Sequence, residues 1–218
     1  MRQTLLPAAA ILLAAFAAPQ ATDWRTRIAA APSGAMVVGN PEARVKLVEY
    51  LSYTCSHCAH FVRDSAAELK DKMVRTGDVS VEYRPMVRNA LDLAAAIGAR
   101  CAGPQGFVRA QEAVFDNQAA LLEKAQGLPE ATGTPAQKLQ TLAQGSGLTA
   151  VLAANGVPKA RFDQCLADPK ALEPVVAMTR DAQGRIKGTP SFEVNGELLA
   201  DVHDWGNLAP RLRAAGAE

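Results

Sequence analysis

The 218-residue chain has no excess of either charge: Lys plus Arg number 23 and Asp plus Glu 22. It has no basic run and no internal repeat. Nucleic acid and acidic membrane surfaces are bound through concentrated cationic charge, and this balance supplies none. After residue 21 no stretch is apolar for the roughly 20 residues that a membrane span needs. Histidine is scarce, with three in the chain, and there is one CxxC. Zinc sites built on CxxC draw their remaining ligands from a second CxxC or from paired histidines. Here Cys101 and Cys165 stand apart and only His203 lies outside the CxxC segment, so half of a metal site is missing.

What is present is an apolar half: 49% of residues are hydrophobic, enough for a real core. Residues 1–21, "MRQTLLPAAAILLAAFAAPQA", have one cation, a short apolar middle and small residues before Asp23. This is the layout of a secretory signal. It predicts export, with the periplasm as the expected compartment. All four cysteines (Cys55, Cys58, Cys101 and Cys165) then meet an oxidising environment, where an even count permits two disulfides.

The apolar pattern divides the rest of the chain. "AMVVG" (35–39) and the nearly continuous "VKLVEYLSY" (45–53) read as strands, the second as a buried central one. After Thr54 a helical pattern runs to Gly77, and "VSVEYRPMV" (79–87) alternates as a further strand. From Asn89 to about Lys187 the chain reads as helices separated by Gly and Pro breaks. "PSFEVNG" then predicts a strand ending in an Asn195-Gly196 hairpin turn, with "ELLAD" as partner and "WGNLAPRLRAAGA" as the closing helix. The order βαβ, helical block, ββα predicts an α/β fold in two halves, 22–87 and 188–218, around an inserted helical domain, 88–187.

The CxxC falls at a strand-to-helix junction. Helix N-termini carry unpaired N–H groups and partial positive charge, which favour a thiolate at Cys55. Cys58, one turn in, faces the same side and is expected to be more buried. His57 between them brings an imidazole near sulfur, a further means of lowering a thiol pKa. Far downstream, "GTPSFEVNG" places Pro190 after Gly-Thr and directly before a strand, where a cis peptide at Thr189–Pro190 is a candidate. Glu49 lies six residues before Cys55. It either reaches solvent at the strand end or is a buried acid near Cys58, its pKa raised, able to give and take the resolving thiol's proton. His60 reads as an exposed helix residue and His203 as solvated loop polarity.

With "VEYLSYTCSHC", the helical block and "GTPSFEVNG" in this order, the chain resembles the DsbA-like thiol–disulfide oxidoreductases of the thioredoxin superfamily over nearly all of its expected mature length. The resemblance implies a thioredoxin fold with an inserted helical domain. It implies that Cys55 attacks or is attacked, that Cys58 resolves, and that Thr189 and Pro190 bind the substrate backbone beside the sulfur. It favours the buried reading of Glu49. Ser56 stands where the family often has proline; His57 is retained. No cofactor or metal is implied. The expected partners are reduced or unfolded client proteins and a membrane or soluble redox partner that reoxidises the pair.

Two other readings follow from the same residues: a disulfide isomerase or reductase kept reduced, and a redox-inactive metal-binding or binding module on this fold. The segment between residue 21 and the strand expected at Ala35 is too short for the separate N-terminal dimerisation domain of isomerases of this fold. Cys101 and Cys165 are either buried free thiols or a structural disulfide, which export and the even count favour. Such a bridge closes a loop whose length corresponds to roughly 3–4.5 kcal/mol in the chain-entropy account.

Overall fold

The computed structural model describes residues 22–218; the signal expected at 1–21 lies outside the described residues. A six-stranded mixed sheet has the order β1 (Ile28–Ala30), β2 (Met36–Gly39), β4 (Val79–Pro85), β3 (Val45–Leu51), β5 (Ser191–Val194), β6 (Glu197–Leu198). The β3–β4 pair is parallel, Leu47 facing Val81 and Glu49 facing Tyr83; every other pair is antiparallel. β3 is central, and the β-branched and aliphatic residues of its pattern are spent on burial from both sides.

Between β3 and β4 the chain forms α1 (Ser56–Ser65), which continues into a π-helical segment, Ala66–Val74. Gly77 ends it: its φ of +93° is left-handed, and the Asp78 N–H reaches back to the Met73 carbonyl at 3.0 Å, closing the helix end. The parallel β3–β4 pair requires this helical crossover.

The helical block between β4 and β5 comprises α2 (Ala90–Cys101), α3 (Pro104–Asp116), α4 (Gln118–Gln126), α5 (Pro135–Gly145), α6 (Leu148–Ala154), α7 (Lys159–Ala167) and α8 (Pro169–Ala182). Ile97, Leu148, Leu152 and Phe162 are its fully buried centre. Gly98 is required there by close approach: a Cβ on it would lie 2.3 Å from Leu152 Cδ1. A disulfide joins Cys101 at the end of α2 to Cys165 in α7, with the Cα atoms 6.2 Å apart. α9 (Trp205–Ala214) starts at Asp204, whose side chain caps the Asn207 N–H, so Pro210 sits within the helix.

Several elements differ from the sequence pattern. β1 was not expected; its three residues, half-buried or exposed, carry no pattern of their own. β3 stops at Leu51, because residues 52–54 turn into the helix. "ELLAD" pairs through Glu197 and Leu198 alone. The run 107–125, which reads as one helix, breaks at Asn117 into α3 and α4 with neither Gly nor Pro at the break. The Asn195-Gly196 turn forms as expected with both residues at positive φ, 51° and 87°.

Candidate active site

Cys55 is the N-cap of α1, with extended backbone (φ −97°, ψ 117°), and Cys58 sits one turn inside. Its carbonyl accepts the first helical bonds, from the N–H of Cys58 (3.1 Å) and of Ala59 (3.2 Å). Both sulfurs are free thiols, and both residues are largely enclosed: Cys55 keeps 4% of its surface and Cys58 none. Their environments nevertheless act in opposite senses. Hydrogen bonds from the Cys58 thiol, the Thr189 side chain and the backbone N–H groups of Cys58 and His57 hold Cys55 down to about 4 against the cost of its burial. Burial, and then the Cys55 sulfur, push Cys58 well above the ordinary thiol range. Its nearest backbone donor is the Ser52 N–H, 3.5 Å from Sγ.

The Thr189–Pro190 bond is cis. The loop it belongs to meets the CxxC directly, with the Cys55 sulfur 3.2 Å from the Thr189 carbonyl oxygen. His203, expected in a solvated loop, places Nδ1 2.9 Å from the Pro190 carbonyl, although its ring stays largely exposed. His57 and His60 are exposed. The contribution of His57 to Cys55 comes through its backbone N–H.

Glu49 lies on the β3 face that also carries Leu47 and Leu51. It is buried, 2% exposed, and desolvation raises its carboxyl to about 8. A cavity of about 50 Å³ lies between this face and α1, lined by Glu49, Phe61, Ser65, Tyr83 and Gln111 among others. That is room for water beside the carboxyl. Cys58 occupies the same helix one turn before Phe61. On the other face of β3, the Tyr50 hydroxyl bonds Glu193 (2.8 Å), and Arg185 pairs with Glu193 at 2.5 Å. Arg185 belongs to the segment that leads into the Thr189–Pro190 turn.

The turn between β3 and α1 is held from the helical block, by residues that the sequence reading did not single out. Asp92, fully buried in α2, accepts from the Ser52 hydroxyl (2.5 Å), the Tyr53 N–H (2.8 Å) and the Arg88 N–H (3.0 Å). Gln111 of α3 accepts from the Tyr53 hydroxyl at 3.1 Å. Gln118, the first residue of α4, donates its side-chain amide to the carbonyls of Tyr53 (2.9 Å) and Cys55 (3.0 Å). In sequence the signal for these contacts is faint: an acid three residues after Asn89, and glutamines within apolar helical runs. Among the described residues, no group of three or more His, Cys, Asp or Glu side chains is placed to hold a metal ion, and no helix is long and apolar enough to cross a membrane.

A CxxC at a helix start, a cis-proline turn against it and a helical insertion define a thioredoxin-type architecture. The thioredoxin family profile matches residues 32–211, and the chain belongs to that family. Its fold is that of the DsbA-like thiol–disulfide oxidoreductases. A solved protein-disulfide isomerase from Novosphingobium aromaticivorans is 34% identical with a TM-score of 0.75, covering 82% of this chain and 95% of that one. Wolbachia pipientis alpha-DsbA1 shares the fold with a TM-score of 0.64 at 21% identity, over 82% of this chain and 89% of that one. A Rickettsia felis protein to which the name protein-disulfide oxidoreductase is provisionally given is 34% identical over 74% of this chain and 53% of its own length. The chain spans a little over half the length of the curated relatives it matches.

Proposed function

We propose that this protein is an exported, periplasmic thiol–disulfide oxidoreductase that introduces disulfides into client proteins through Cys55 and Cys58. The observation that carries this reading is the contrast in the placing of the two sulfurs: Cys55 caps α1 against the Thr189–Pro190 turn, and Cys58 is fully enclosed one turn inside. These surroundings favour a thiolate at Cys55 and, by burial, disfavour one at Cys58. Stabilising the Cys55 thiolate favours the reduced pair, which makes the disulfide form an oxidant.

In the oxidised protein, a client thiolate attacks Cys55 Sγ. The Cys55–Cys58 bond breaks and its electron pair leaves on Cys58, which its surroundings force to take a proton. Glu49, buried and protonated up to about pH 8, is the acid that supplies that proton. A second client thiolate then attacks the client sulfur of the mixed disulfide. Cys55 departs as the stabilised thiolate, the client keeps the disulfide, and this protein holds the two electrons. Thr189 presents backbone beside the reacting sulfur, where an extended client segment can pair with it. A redox partner, membrane-bound or soluble, removes the electrons and restores the bond.

A second reading, an isomerase kept reduced, draws support from the Novosphingobium aromaticivorans structure, whose name is protein-disulfide isomerase. One experiment tests the first against it. Oxidised protein is mixed with a reduced, unfolded client, and client disulfides are counted with time. Stoichiometric transfer is expected, and Cys58→Ser, which can form no Cys55–Cys58 bond, should transfer none. Transfer that fails while a scrambled client is repaired by the reduced protein would favour the isomerase.

A further inference from the structure

Three buried polar side chains of the helical block aim at one four-residue turn of the thioredoxin half. Asp92, Gln111 and Gln118 are 0%, 4% and 5% exposed. Between them they engage every hydrogen-bonding group of Tyr53: Asp92 takes its N–H, Gln111 its hydroxyl and Gln118 its carbonyl. Phe115 stacks on the Tyr53 ring with centroids 4.9 Å apart. Of the three polar residues, Gln118 reaches the reactive cysteine itself. Its orientation is dictated by chemistry, because two carbonyls can only accept and the amide nitrogen must face them.

The Cys55 carbonyl that Gln118 grips is the one that closes the opening turn of α1, through the N–H groups of Cys58 and Ala59. The backbone N–H groups of His57 and Cys58, which favour the Cys55 thiolate, lie within that turn. A donor that fixes the carbonyl end of the turn also fixes where those N–H groups point. Charge-directed hydrogen bonds weaken steeply with misalignment. We propose that Gln118 is a positioning residue that anchors the opening turn of α1 from the helical block and so sets how strongly the reduced Cys55–Cys58 pair is favoured. The helical insertion then acts on the chemistry through α4, in addition to whatever clients its surface meets.

This inference rests on the oxidoreductase reading, and its test separates the two. The wild type, Gln118→Met, Gln118→Ala and a Cys101→Ala/Cys165→Ala control are each titrated for thiolate ultraviolet absorbance and equilibrated with glutathione. Gln118→Met keeps the buried volume without a donor. It is expected to raise the Cys55 pKa by about one unit and to shift the glutathione equilibrium about tenfold towards the disulfide. The disulfide control should lose stability with neither shift. A folded Gln118→Met with unchanged titration and equilibrium overturns the proposal, and so does a set of Gln118 variants that only lose stability. A wild type that neither exchanges with glutathione nor forms a thiolate below neutral pH would overturn the oxidoreductase reading itself.

Discussion

The sulfur of Cys55 lies 3.2 Å from the carbonyl oxygen of Thr189, a residue 134 positions further along the chain. The contact joins the two halves of the sheet across the whole helical block. It depends on β3 and β5 lying side by side, with Tyr50 facing Ser191 and Glu49 facing Phe192. The ends of these neighbouring strands bring the CxxC and the Thr189–Pro190 turn to one edge.

The two thiols should react unequally. At mildly acidic pH, limiting alkylation of the reduced protein is expected to modify Cys55 and spare Cys58, which is fully enclosed and pushed up by burial. Mass spectrometry of the digested product checks this. Preferential labelling of Cys58 would reverse the roles assigned to them.

The stability of the reduced protein should depend on pH through Cys55. Its folded value of about 4 lies below the ordinary 9, so the stabilisation is fully present above pH 9 and is lost as pH falls through 4. The oxidised protein has no such thiol. The difference in unfolding midpoint, reduced minus oxidised, should therefore grow as pH rises between those limits. A flat difference would mean that Cys55 titrates normally.

Thr189→Val removes a side-chain donor from beside Cys55 while keeping its shape. The Cys55 pKa is expected to rise, with a threefold to tenfold weakening of the preference for the reduced pair, by roughly 0.7–1.4 kcal/mol, the usual scale of one hydrogen bond. Thiolate absorbance against pH measures it.

Glu49 carries the opposite sign. Its folded value of about 8 lies above the ordinary 4.5, so the fold binds a proton that the unfolded chain releases, and stability falls as pH rises from 4.5 to 8. Glu49→Gln should abolish that slope and, above pH 8, be the more stable protein by an amount on the order of 5 kcal/mol. If Glu49 also supplies the Cys58 proton, the same variant should slow attack on the disulfide about tenfold or more. Denaturation and stopped-flow exchange at several pH values separate the two effects.

Much of this arrangement was legible in the chain, for definite reasons. The CxxC and Thr189–Pro190 stand at strand ends and Glu49 within β3, and strands declare themselves by alternation and by turn residues such as Asn195-Gly196. Gln118 was not legible, because the break at Asn117 uses neither Gly nor Pro and leaves α3 and α4 reading as one helix. Asp92 was not legible either: an acid in the first turn of a helix usually serves the helix end, whereas here it is fully buried and serves the Tyr53 turn. His203 reads as loop polarity because its partner, the Pro190 carbonyl, is set by tertiary structure alone.

The disulfide joining α2 to α7 should be inert in the chemistry. Replacing Cys101 and Cys165 by Ala is expected to cost about 3–4.5 kcal/mol, the chain-entropy scale for a loop of this length, with exchange at Cys55 unchanged. Thermal unfolding and a client-oxidation assay on the same sample check both parts.

The central claim is that Cys55 and Cys58 form an oxidising pair. Its most direct test is the equilibrium of this pair against mixtures of reduced and oxidised glutathione at neutral pH. The account predicts that the dithiol predominates at glutathione ratios that leave an ordinary structural disulfide intact. A pair that stays oxidised until the mixture is strongly reducing would contradict it.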